Sequence, residues 1–198
     1  MKRLPNILSS FRMAMAPVFL LLYIQDDIWL RGISLVIFAV AALTDFFDGY
    51  IARKYRVESK FGIFLDPLAD KFLTIAGFVC LPFLSPEQFP WWAIVLIVIR
   101  DLGITGLRIF ADRRNLTMQT RSSAKVKTAI QMIYLYTALL FGFLVLFGGG
   151  FGEMVRSVYE LDLFYWGMIA VTAITVYSGI EYLAVNRKMF VTTAGKNA

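Results

Sequence analysis

The chain has 198 residues, 59% of them hydrophobic, and a mean hydropathy of +0.67, above the range of soluble domains and gathered in runs long enough to cross a bilayer. This predicts one all-α integral membrane domain over 1–190 with a polar tail over 191–198, and no nucleic-acid partner is expected from the formal charge of +6, which sits at particular helix ends. The single cysteine, Cys80, excludes an internal disulfide or a Cys-rich zinc site, and the absence of histidine leaves carboxylates, lysines, tyrosines or that thiol as proton acceptors near neutral pH.

Lys2 and Arg3 precede a first apolar helix predicted over 5–23, with a kink at Pro17. It looks like a signal peptide, but Pro17 directly follows the small-residue pattern Ala14-Met15-Ala16 and Arg12 interrupts the apolar core, so it is read as retained. Apolar segments at 29–54, 62–84, 89–113, 123–148 and 160–186 complete six predicted transmembrane helices, which puts both termini on one side. One set of helix ends carries Lys2, Arg3, Lys54, Arg56, Lys60, Arg113, Arg114, Arg121, Lys125, Lys127, Arg187 and Lys188. The other carries Asp26, Asp27, Glu87, Glu153, Glu160 and Asp162, with only Arg31 and Arg156. The basic side is expected to be cytoplasmic, with both termini there. Gly148–Gly152 then reads as an outward-facing loop, Trp91, Trp92, Tyr165 and Trp166 as interfacial belts, and Cys80 as apolar filling.

The second and third segments meet in the stretch that carries the chemistry. Asp45, Asp48, Gly49, Ala52 and Arg53 lie at helical offsets of zero, three, four, seven and eight, so they share one face; Gly62, Asp66 and Asp70 follow at four-residue spacing on the next helix. Two aligned faces would direct four carboxylates at one small volume near the cytoplasmic surface. Each ionised aspartate at membrane depth costs about 2.5–3.5 kcal/mol, less toward the interface, so the cluster calls for cations. Carboxylates without histidine or cysteine suit hard ions, Mg²⁺ or Mn²⁺. The alternative is a polar interhelical network with Arg53 and Lys71 as counter-charges. Gly49 and Gly62 serve close helix packing as readily as ligand approach.

Asp45-x2-Asp48-Gly49-x2-Ala52-Arg53-x8-Gly62-x3-Asp66-x3-Asp70 resembles, without a departure, the signature of the CDP-alcohol phosphotransferases: eight fixed positions over 26 residues. Flanking features, namely Pro5-Asn6-Ile7-Leu8-Ser9 with Arg12, Asp66–Lys71, Arg100-Asp101, Leu107-Arg108 and Ala124–Thr128, resemble bacterial members that use sn-glycerol 3-phosphate. Ser9 stands where those often have threonine, Asp101 where glutamate is usual and Ala124 where glycine is common. The resemblance implies a multi-pass enzyme of the bacterial cytoplasmic membrane, active at the cytoplasmic interface and built as a homodimer. It would transfer the phosphatidyl group of CDP-diacylglycerol to glycerol 3-phosphate and release CMP. It further implies that Asp45, Asp48, Asp66 and Asp70 ligate two divalent cations, that Asp70 is also the general base, and that Gly49, Arg53, Ser59 and Asn6 hold the nucleotide side.

The acceptor phosphate needs cations of its own. Arg108, Lys125 and Lys127 flank the joint of the fourth and fifth helices, and Arg100 lies deeper on the stripe of Arg108, eight residues away. Arg113, Arg114 and Arg121 read better as topology signals, and Asp101 as a local salt-bridge partner of Arg100. Three other readings stay open: a sibling enzyme with inositol phosphate, serine or another headgroup as acceptor; a cation transporter, whose acids belong nearer the bilayer midplane; and a membrane scaffold with a structural acidic cluster.

Overall fold

The computed structural model describes residues 4–55, 60–114 and 122–194, with side chains described except at 4–8, 45–68, 70, 113, 122–125 and 188–194. The described residues form seven helices and no strand: α1 (Leu4–Tyr23), α2 (Ile28–Tyr55), α3 (Lys60–Leu84), α4 (Trp91–Arg113), α5 (Ser122–Leu144), α6 (Gly149–Glu160) and α7 (Leu163–Ala194). Six of them fall on the six expected segments. The boundaries shift at α3, which starts at Lys60 and not 62, at α4, which starts at Trp91 and not 89, at α5, which ends at Leu144 and not 148, and at α7, which runs over Leu163–Ala194 and not 160–186. Pro17 lies inside α1, which continues past it to Tyr23.

The expected outward loop at Gly148–Gly152 is a helix instead. Gly148 is extended, Gly149 takes a φ of +73°, open to glycine and costly for other residues, and α6 follows. Gly152 and Val155 are buried, with Val158 and Tyr159 half-buried at helical spacing. A Cβ at Gly152 would run into the Phe147 carbonyl oxygen, so the glycine that suggests a loop is what lets the first turn lie flat against the chain before it.

α1 buries the stripe Ser9, Arg12, Ala16, Phe19 and Tyr23, spaced three or four apart, against α2 and α3. α3 continues the core to α4 and α5, and α4 and α5 pack on α7. Aromatic contacts fix the centre: Phe19 meets Tyr23 and Phe38 at 5.4 and 4.7 Å between ring centroids.

At one end of the bundle the helix ends are tied by Arg31, 3% exposed. Its Nε donates to the Tyr23 carbonyl (3.0 Å), Nη1 to that of Gly142 (2.8 Å), and Nη2 to that of Gln25 (2.9 Å) and to Asp26 (3.0 Å). It thereby satisfies carbonyls left over at the ends of α1 and α5. The Tyr23 hydroxyl donates to the Leu139 carbonyl at 2.5 Å, and only glycine at 142 leaves room: a Cβ there would lie 2.6 Å from that hydroxyl and 2.8 Å from Leu84 Cδ1.

Polar and charged groups are buried alongside the apolar core, while large apolar side chains cover the surface. Arg12, Arg31, Asp101, Lys127, Gln131, Thr175 and Ser178 are buried, while Trp29 (77%), Ile133 (68%) and many other large apolar side chains face outward. Outward apolar and inward polar is what a lipid solvent selects. Two helical stretches among the described residues, Val126–Leu144 and Leu163–Arg187, are long and apolar enough to cross a membrane. The molecule is accordingly a helical membrane protein. Trp91, Trp92 and Trp166 are exposed at helix ends, where belts are expected.

Candidate active site

The aspartate motif occupies both sides of one short joint. Asp45, Asp48, Gly49, Ala52 and Arg53 lie in the last turns of α2, and Gly62, Asp66 and Asp70 in the first turns of α3. Both halves are helical, as the spacing requires. The side chains of Asn6, Asp45, Asp48, Arg53, Asp66, Asp70 and Lys125 lie outside the described residues, as does the whole of Ser59.

α3 is anchored on both sides of the last aspartate, at Ala69 and Lys71. Ala69 is fully buried, and Lys71 Nζ lies 3.6 Å from Asp101 Oδ2 on α4. Asp101, 3% exposed, is the hub of a polar cluster built by four helices. Arg100 Nη1 donates to its Oδ1 at 3.0 Å, Lys127 Nζ of α5 donates to the same oxygen, and Gln131 Nε2, one turn further along α5, reaches Oδ2 at 3.4 Å. α7 closes the cluster: Arg100 Nη2 donates to the Ser178 hydroxyl at 2.7 Å, and Ser178 donates in turn to the Thr175 carbonyl at 3.1 Å. Gly179 makes room for the arginine stem, since a Cβ there would lie 2.9 Å from Arg100 Cγ.

Arg108 is exposed and leans on the same helix, its guanidinium carbon 6.0 Å from the centroid of the Tyr182 ring. Arg100 and Arg108 therefore both run along the contact of α4 with α7, as their eight-residue separation predicts. Arg114 stands apart, over the Phe110 ring at 4.5 Å.

Three cations converge on Asp101. Lys71, Arg100 and Lys127 face the one carboxylate of Asp101 among the described residues, and Lys127 is 1% exposed. A buried ammonium without a partner is costly, so Asp101 is what permits Lys127 to sit inside the bundle as a cation.

Asp101, expected as a local salt-bridge partner of Arg100, does pair with it, and it also gathers Lys71 and Lys127 from two other helices. Lys127, expected to serve the acceptor phosphate, is thus already paired with a carboxylate. Gln131 and Ser178 were not singled out. The four-residue step from Lys127 to Gln131, polar positions on one face of an apolar helix, is the signal that points to the first of them. Cys80 is buried, with its thiol donating to the Gly77 carbonyl at 3.0 Å, which agrees with a filling role.

Residues 2–177 match the family model of the CDP-alcohol phosphatidyltransferases. Similar proteins include a CDP-diacylglycerol--glycerol-3-phosphate 3-phosphatidyltransferase of Rickettsia typhi, 34% identical over 90% of this chain and 95% of the relative. A probable phosphatidylglycerophosphate synthase of Mycobacterium tuberculosis is 36% identical over 91% of this chain and 80% of its own. A CDP-diacylglycerol--glycerol-3-phosphate 3-phosphatidyltransferase of Bacillus subtilis is 31% identical over 94% and 96% respectively.

Proposed function

Since the chain belongs to the CDP-alcohol phosphatidyltransferase family, we propose that it transfers the phosphatidyl group of CDP-diacylglycerol to sn-glycerol 3-phosphate, giving phosphatidylglycerol phosphate and CMP. One observation carries this reading: an unbroken eight-position motif spans the α2–α3 joint, and the next residue after its last aspartate, Lys71, joins the buried polar cluster of Asp101, Arg100 and Lys127. The names of its relatives support glycerol phosphate as acceptor.

The four motif carboxylates fit hard divalent cations, because the chain has no histidine and its one thiol is buried and occupied by the Gly77 carbonyl, which leaves oxygen donors alone. Asp45, Asp48, Asp66 and Asp70 would hold two such ions, Mg²⁺ or Mn²⁺. When bound, they supply charge neutralisation to the pyrophosphate and polarise the reacting phosphorus. Gly49, Arg53, Ser59 and Asn6 hold the nucleotide side of the donor. Asp70 takes the proton from the acceptor hydroxyl, whose oxygen forms a bond to the phosphorus carrying diacylglycerol as the bond from that phosphorus to CMP breaks. Arg100, Arg108, Lys125 and Lys127 bind the acceptor's phosphate, a dianion that needs more than one positive partner. The protein's contribution is positioning and charge.

The membrane arrangement belongs to the same proposal. α1 to α5 and α7 have 20 to 32 residues each, which at about 1.5 Å per residue reach roughly 30 Å or more. α6, with 12, does not. Six crossings place the α2–α3 joint, the α4–α5 joint and both termini on the basic, cytoplasmic side of a bacterial inner membrane. One domain over 1–190, working as a homodimer, completes the reading. The test is a panel of acceptors given to the purified protein with CDP-diacylglycerol. Product with glycerol 3-phosphate alone supports the proposal, and preference for inositol phosphate or serine would replace it with a sibling activity.

A further inference from the structure

At the end of the bundle opposite the aspartate motif, the α1–α2 link, the ends of α3 and α5, and α6 enclose a cavity of about 370 Å³, lined by Asp26, Arg31, Ser85, Gly142, Arg156 and Tyr159 among others. Its chemistry is that of an anion site. Arg31 is a fixed positive charge in the wall, held by three carbonyls and by Asp26. Arg156 is exposed, and the side chain of Asp26, paired with Arg31, is 95% exposed. The Tyr159 hydroxyl is buried and has no hydrogen-bond partner, although the ring is well placed, stacked on Phe164 at 4.9 Å and set edge-on to Phe89 at 6.4 Å. Burial pushes this hydroxyl up to about 12, so near neutral pH it is an O–H donor. A buried donor without an acceptor, in a lining that also holds two guanidinium groups, is suited by an anionic oxygen.

The charges narrow the ligand. Among the lining residues Arg31 and Arg156 stand against Asp26, one positive charge in the wall itself and the complement of a phosphodiester monoanion, while Glu153 and Glu160 flank Arg156 on the outer face of α6. The rim narrows its source. α6 exposes Phe151 and Met154, with Phe147 just before it, along one stripe, and Glu153, Arg156 and Glu160 along another. A short helix with one apolar and one charged face lies in a membrane surface with its apolar side among acyl chains. We propose that this cavity binds the phosphodiester of a membrane phospholipid, gripped by Arg156 and the Tyr159 hydroxyl over the fixed charge of Arg31, with α6 lying in the membrane surface as the outer wall. This rests on the six-span arrangement, which puts the cavity at headgroup depth in the leaflet away from the aspartate motif, but not on the catalytic assignment.

The experiment is native mass spectrometry of the full chain released from detergent with added dioleoylphosphatidylglycerol or dioleoylphosphatidylcholine, and in a separate arm with inorganic phosphate as competitor. Arg156 is exposed and Tyr159→Phe keeps the stacked ring, so both variants retain the fold. R156A and Y159F should each weaken lipid retention about tenfold, while S157A, on the same helix, leaves it unchanged. CMP release in all three should stay within about twofold of the unsubstituted chain. Retention of either lipid by R156A and Y159F at the unsubstituted level would overturn the proposal. Displacement of lipid by inorganic phosphate at equal concentration would overturn the lipid assignment in favour of a free anion. Absence of CMP release from the unsubstituted chain, with lipid retention still dependent on Arg156, would count against the catalytic reading and support this site.

Discussion

Replacing Asp101 by asparagine removes one charge and almost no volume, which makes it a clean probe of the buried cluster. The side chain keeps an acceptor oxygen for Lys127 and Arg100, but Lys127, 1% exposed, is left without its carboxylate. Removing one partner of a buried pair costs about 3–5 kcal/mol, mostly the penalty of the stranded charge. Arg100 and Lys71, whose side chains are 14% and 19% exposed, recover part of their loss through water, so Lys127 dominates. A loss of that size lowers the melting temperature in detergent by on the order of 10 °C. The kinetic consequence follows from the same geometry. With its anchor gone, Lys127 moves toward water, and the acceptor phosphate loses one charge-assisted contact of about 1.5–3 kcal/mol, roughly ten- to a hundredfold in kcat/KM for glycerol 3-phosphate. The KM for CDP-diacylglycerol should stay within about twofold, and Asp101→Glu should restore much of both losses because the carboxylate returns. Unchanged melting together with unchanged acceptor kinetics would refute the reasoning, and equal losses toward both substrates would mean that the cluster does not serve the acceptor.

The other predictions are shorter. Asp70→Asn should abolish turnover while sparing donor binding, because an amide oxygen still ligates a cation but accepts no proton; activity within about tenfold of the unsubstituted enzyme would remove Asp70 as base. Arg108→Ala should raise the acceptor KM, whereas Arg114→Ala, whose contact among the described residues is with the Phe110 ring, should leave steady-state kinetics unchanged; the reverse order would move the acceptor site. Gly142→Ala should cost about 1–3 kcal/mol by overpacking, since the new Cβ meets the Tyr23 hydroxyl and Leu84; thermal unfolding reads this directly, and the remaining folded protein should turn over normally.

Much of this was legible in the sequence because a lipid solvent writes its constraints plainly. Six apolar runs became six helices, and the three- and four-residue spacing of Asp45 to Asp70 put the motif on two helix ends. What stayed illegible is tertiary. Arg31 stands out in sequence as a cation on an acidic side, and the reason for it is a carbonyl of Gly142, 111 residues away. Asp101 declares its neighbour Arg100, but nothing local announces Lys127 or Gln131, 26 and 30 residues on. α6 was hidden by its glycines, whose usual meaning as loop formers is reversed where one of them supplies a left-handed start and another a close approach to the Phe147 carbonyl.

The most direct measurement is CMP release from CDP-diacylglycerol by the purified chain, made dependent in turn on glycerol 3-phosphate and on Mg²⁺ or Mn²⁺. The account predicts CMP and phosphatidylglycerol phosphate in equal amounts, none without the acceptor, none after chelation of divalent cations, and recovery when either cation is restored. CMP formed at the same rate without glycerol 3-phosphate, or at an undiminished rate after chelation, would contradict it.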